Sequence, residues 1–206
     1  MSEPYVVGVD TGYTGALREA DHLLRSLAAE LGLPADVLGC THHVRDGRRP
    51  HTALSFAVPS EHAARAAWRR LTETGSGTPG AGPGPGIPLG AAFGDDRHGP
   101  GELAAGAAHA AAEHGTRTGG RAVLYPGSGA VTGVLTVGRL LEVSAVDRVT
   151  VLGSPEGAAP EAELVTRDHV RPEWREGRLV LATMPAAGGA LVPFEVPDPT
   201  PCCADH

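Results

Sequence analysis

The chain has 206 residues and a formal net charge of -7, with no Lys, Asn or Gln and a single Ile, Ile87. That length suits one domain or two small lobes with a real core. The missing lysines exclude Schiff-base and phosphate-loop lysine chemistry, and the negative charge argues against nucleic acid or an anionic membrane as partner. No run of 18 apolar residues and no basic-then-apolar leader is present, so a cytoplasmic protein is expected. The composition reads as the imprint of a GC-rich, bacterial genome. Cys40, Cys202 and Cys203 are the only cysteines. In a reducing compartment they are expected as free thiols.

Residues 5–10 (YVVGVD) read as a buried strand. A helix over 14–31 follows, with apolar positions 17, 20, 24, 27, 28 and 31 at helical spacing. Thr14 is the expected N-cap, and Gly32 with Pro34 the stop. Residues 37–59 (VLGCTHHVRDGRRPHTALSFAVP) read as a β-hairpin turning at Asp46-Gly47. Ser60 is expected to cap a helix over 61–71, with Ala64, Ala67, Trp68 and Leu71 inward and Arg65, Arg69 and Arg70 outward. The order β-α-β-β-α predicts a lobe with both helices on one face of a sheet.

Residues 74–90 hold seven Gly and four Pro among 17 positions and no charge, the composition of a linker without regular structure. Residues 100–114 are Ala-rich and expected helical. Strands are expected over 121–125, 134–143, 148–152, 164–170, 178–184 and 191–196, with Glu176-Gly177 turning one hairpin. The predicted fold is α+β: a first lobe over 1–73, the linker, a mostly β lobe with one Ala-rich helix over 91–198, and a Cys/His tail over 199–206.

The hairpin concentrates the chemistry. With Asp46-Gly47 as a two-residue loop, Val44 faces Arg49, His42 faces His51 and Cys40 faces Ala53. Side chains alternate along a strand, so Cys40, His42 and His51 share one face. Thiolate and imidazole together suit Zn²⁺ or another transition metal. The tail offers further donors in Cys202, Cys203 and His206. His43, Asp10 and Asp96 are candidate bases for metal-assisted hydrolysis or lyase chemistry.

Other features carry less. Gly8-Val9-Asp10-Thr11-Gly12 resembles the phosphate loop of actin-like folds, but a helix follows where those folds need a hairpin. The glycine-rich 125–133 segment reads as a turn, and Asp95-Asp96-Arg97-His98 and the Arg45/Arg48/Arg49 group as solvated loops. His169 is a candidate for a groove between lobes. The expected function is a cytosolic transition-metal-binding protein, with metal-dependent hydrolysis or lyase chemistry as its extension. The alternative is a metal-free module that takes a small molecule or a protein in the inter-lobe groove.

Overall fold

The computed structural model describes residues 4–34, 37–45, 49–74, 88–154 and 157–196. Among them the chain runs β1 (Tyr5–Tyr13), α1 (Leu17–Glu30), β2 (Leu38–Val44), β3 (His51–Val58), α2 (Glu61–Thr74), β4 (Gly90–Phe93), β5 (Asp96–His98), α3 (Gly101–Thr116) and β6 (Arg121–Leu124). It continues with β7 (Val134–Thr136), α4 (Val137–Val143), β8 (Arg148–Val151), β9 (Glu163–Val165), β10 (Glu173–Arg175), β11 (Arg178–Pro185) and β12 (Leu191–Pro193). The fold is mixed α+β. No helix among the described residues is long and apolar enough to cross a membrane.

The chain divides into two compact units, Met1–Pro126 with Glu173–Gly177, and Gly127–Pro172 with Arg178–His206. In the first, the strand order is β5-β4-β1-β3-β2-β6-β10, and every neighbouring pair is antiparallel. Its centre, β4-β1-β3-β2 built from a β-α-β-β-α-β chain, is the split arrangement of ferredoxin-like sheets. Such a topology carries no function by itself.

The two faces of this sheet are filled differently. On one, Val7, Val9, Leu54, Phe56 and Val58 pack with Leu24 and Leu27 of α1 and with Ala64, Ala67 and Leu71 of α2. The expected placement of both helices on one face therefore holds. Ser60 caps α2 through the Ala63 amide at 3.1 Å. Gly32 ends α1 at φ +61, with its amide on the Ala29 carbonyl. Thr14 does not cap α1: Ala16 holds the cap position, without a side-chain bond. The Tyr13 hydroxyl donates to the Glu19 carboxylate in the first turn instead.

The opposite face is covered by α3. A Cβ on Gly8 would stand 1.9 Å from the Ala107 carbonyl oxygen, and one on Gly90 only 2.2 Å from the Leu103 backbone. The alanines of α3 thus serve close approach: Ala104, Ala107 and Ala110 are buried against strands that also lack bulk. A small-residue interface makes up in contact distance what it lacks in side-chain size.

In the second unit the order is β8-β11-β12-β9-β7. β8 runs parallel to β11 and β12 parallel to β9, while β11–β12 and β7–β9 are antiparallel. Val137, Leu140, Val149, Leu164, Leu179, Leu181 and Val192 are among its buried apolar residues.

Three expectations are corrected. The single strand over 134–143 is a short strand followed by a helix, because Thr136 caps α4 by accepting from the Arg139 amide at 3.2 Å. The strand over 164–170 stops at Val165, since Arg167 and Asp168 take φ +54 and +53 and leave extended backbone. The division of the chain also lies elsewhere. β4 pairs with β1, and β6 with β2, so the Ala-rich helix and its flanking strands complete the first unit rather than begin the second. Residues 75–87 of the expected linker lie outside the described residues.

Candidate metal centre

β2 and β3 pair with Val44 opposite His51, His42 opposite Ala53 and Cys40 opposite Ser55. The expected register placed His42 opposite His51. The difference is two residues, and a two-residue shift moves partners along the strand without changing face. Alternation of apolar and polar residues determines only that parity. Cys40 and His42 therefore keep the shared face that the sequence predicts, and it is the face covered by α3. The Asp46-Gly47 turn itself lies outside the described residues.

Under α3, the third donor is His114. Ligand atoms of Cys40, His42 and His114 all lie within 4.8 Å of one another, and all three residues are buried. His51 is not in this group. Its Nε2 bonds the Asp10 carboxylate at 2.8 Å and its Nδ1 the Arg49 carbonyl at 3.0 Å.

A continuous hydrogen-bond chain threads the cluster. Glu113 Oε2 bonds His42 Nδ1 at 2.8 Å, His42 Nε2 bonds Ser55 Oγ at 2.7 Å, and Ser55 Oγ bonds His114 Nδ1 at 2.7 Å. Its proton order follows from the end that can only accept. The bond from His42 holds the Glu113 carboxyl below its ordinary pKa, so it is an ionised acceptor. Burial lowers the His42 pKa despite that carboxylate, so the ring is neutral and its one N–H is on Nδ1. Nε2 must then accept the Ser55 hydroxyl proton, and Ser55 Oγ in turn accepts from His114 Nδ1–H. Burial, with smaller contributions from His42 and Arg117, pushes the His114 pKa down to about 3. His114 Nε2 is left as a buried lone pair with no partner among the described residues.

Each piece of this arrangement suits a borderline-soft metal ion. A metal-binding histidine usually donates its other ring N–H to a carboxylate, which fixes the tautomer and raises basicity. Glu113 stands in that relation to His42. The Cys40 thiol is pushed up by burial, with Arg121 opposing, so a bound cation is what would stabilise its thiolate. Tetrahedral Zn²⁺ with bonds of about 2.0–2.3 Å needs donors roughly 3.3–3.7 Å apart. The cluster would close by about 1 Å on such an ion, and Ser55 Oγ lies between the two rings.

Neighbouring groups hold the frame. Asp21 of α1 and Arg121 of β6 form a buried ion pair with contacts of 2.5 and 3.4 Å. Gly120, at φ +111, passes so close that a Cβ there would stand 2.5 Å from His42 Cε1. Trp174 of β10 lies beside His114, ring centroids 6.3 Å apart, with the Arg117 guanidinium 5.1 Å from the centre of the indole.

The remaining sequence candidates are dispersed. His43 is exposed beside the cluster. Asp10 is fully buried, with Oδ1 taking the Gly12 amide at 2.7 Å and Oδ2 bonded to His51. Asp96 is exposed on β5, paired with Phe93 across a tight turn at Gly94. His169 bonds Glu195 at 2.8 Å within the second unit. Cys202, Cys203 and His206 lie outside the described residues. His114, Glu113 and Ser55 were not among the sequence candidates. A signal for His114 existed: it continues the helical spacing of the buried Ala107 and Ala110. Comparison with protein-family models, curated proteins and solved structures finds no match to this chain.

Proposed function

We propose that the protein binds a transition-metal ion, zinc in the first instance, through Cys40, His42 and His114. The observation that carries this is the buried cluster of three soft and borderline donors, backed by Glu113 on His42 and by the unpartnered Nε2 of His114. Bound there, the ion would supply Lewis-acid chemistry of the hydrolase or lyase kind where a coordination position stays open. Glu113 and His109, 3.4 Å apart and both partly exposed, are the groups able to move a proton at that edge. Asp10, engaged with His51 and Gly12, and Asp96, out on β5, are less suited to it. A site that depends on a reduced thiol fits a cytosolic protein, and the net charge of -7 fits a small-molecule or protein partner rather than nucleic acid or membrane.

The test is a zinc titration against a chromophoric chelator. One equivalent should bind to the wild-type chain, and Cys40→Ser and His114→Ala should each lose affinity by orders of magnitude. Glu113→Gln should lose about 10–100-fold, and His51→Ala should change little. Equal affinity in Cys40→Ser, His114→Ala and wild type would refute the assignment.

A second reading has one specific observation behind it. Ser55, His42 and Glu113 make contacts of 2.7 and 2.8 Å, the spacing of a nucleophile, its base and an orienting carboxylate. In that reading the protein is metal-free. Ser55 is fully buried and also bonded by His114, which disfavours attack on a substrate. Fluorophosphonate labelling of Ser55 in metal-depleted protein would favour it over the metal.

A further inference from the structure

Beside the cluster, and wholly within the first unit, lies a pocket of about 740 Å³. That volume falls in the range of small-molecule sites. His42 and Glu113 form part of its wall, and Leu17 and Trp174 supply apolar surface. Its charged groups are unevenly committed. Arg121 is held by Asp21, and Arg175 by Glu173 at 2.8 Å. Glu113 is held by His42 and His109. Arg45 also lines the pocket, exposed, with no ion-pair or hydrogen-bond partner among the described residues. The Trp174 indole N–H is buried without an acceptor among the described residues, so the ring meets the pocket through its carbon atoms.

We propose that this pocket binds a small organic monocarboxylate, with Arg45 as its counter-ion and its apolar body against Leu17 and Trp174. A cationic ligand is disfavoured because both carboxylates of the pocket already have partners. A phosphate dianion is disfavoured because only Arg45, among the described residues, would face it uncommitted, beside the ionised Glu113. The ligand contacts proposed, at Arg45, Leu17 and Trp174, are not metal donors, so the proposal stands or falls separately from the metal reading although His42 forms part of the wall.

Isothermal titration of the full chain, as purified and after chelation, with benzoate, phenylacetate, benzamide, benzylamine and inorganic phosphate tests it. At least one of the two carboxylates should bind saturably with and without metal, and benzamide, benzylamine and phosphate should bind more weakly. Arg45→Ala, a change at an exposed side chain, should weaken carboxylate binding about tenfold or more, and Leu17→Ala, which removes apolar wall at another exposed position, should weaken it as well. The proposal is overturned if neither carboxylate binds up to about 10 mM, if benzamide or phosphate binds as tightly, or if Arg45→Ala binds like wild type.

Discussion

Ser55 holds two imidazoles with a single hydroxyl, and that one residue determines how the cluster is protonated. It has one proton to give, so of His42 and His114 one must accept and the other donate, and Glu113 settles which. Gly120 has a comparable hold on geometry, since its backbone occupies the space beside His42 that any side chain would need. Gly120→Ala should therefore destabilise the fold by about 1–3 kcal/mol, because its Cβ meets the ring and its φ lies where L-residues are strained. It should also lower zinc affinity by displacing His42. Urea unfolding of wild type and variant checks the first effect. An unchanged midpoint would mean that the ring yields freely and is not held. From the sequence, Cys40 and His42 could be placed together because strand alternation is a local rule. Ser55 could not, because placing it opposite Cys40 depends on how far apart the paired ends of β2 and β3 lie, and Asp46-Gly47 suggested too short a connection.

At the scale of elements, α3 turns a half-polar sheet face into a buried site. It is composed for contact distance, and its Ala and Gly content looks featureless to a periodicity reading that counts large apolar residues. Glu113 and His114 are therefore not legible in the spacing of large apolar residues, although His114 sits at the end of the buried stripe. Closing α3 over imidazoles has a pH signature. His42 and His114 have folded-state pKa values below the ordinary value of about 6.5. Unfolding lets them take up protons, so the stability they allow is complete above about pH 6.5 and is lost as pH falls toward the folded value, about 3 for His114. His51 works in the opposite sense. Burial opposes its charge, but its bonds to the Arg49 carbonyl and Asp10 outweigh this and raise its pKa. Its contribution is complete below about pH 6.5 and fades as pH rises through the raised value. With two lowered histidines against one raised, the urea midpoint of metal-depleted protein should drop between pH 7 and pH 5. The drop should be shallower in His114→Ala. A midpoint that rises on acidification, or an identical slope in the variant, would contradict the neutral buried rings.

At the scale of the whole molecule, the elements were more legible than their grouping. Both amphipathic helices of the first unit, its hairpin and most strands follow from spacing and caps, which act over a few residues. The division at 126, and the return of Glu173–Gly177 to the first unit, depend on pairings such as β4 with β1 and β10 with β6 across many tens of residues. The Gly/Pro-rich segment marked a break in composition, not the end of a sheet. That long-range closure is what brings Trp174 to His114 and β2 under α3, so the candidate metal centre belongs to the tertiary fold and not to the hairpin alone. Its central claim is most directly tested by adding Co²⁺ to the untagged, metal-depleted full chain and recording the visible and near-ultraviolet absorption. A buried Cys/His/His site should give intense tetrahedral ligand-field bands and a thiolate-to-cobalt charge-transfer band. The charge-transfer band should be lost in Cys40→Ser, and the tetrahedral bands should weaken in His114→Ala. The weak spectrum of octahedral cobalt in wild type, indistinguishable from that of Cys40→Ser, would show that these residues do not hold a metal.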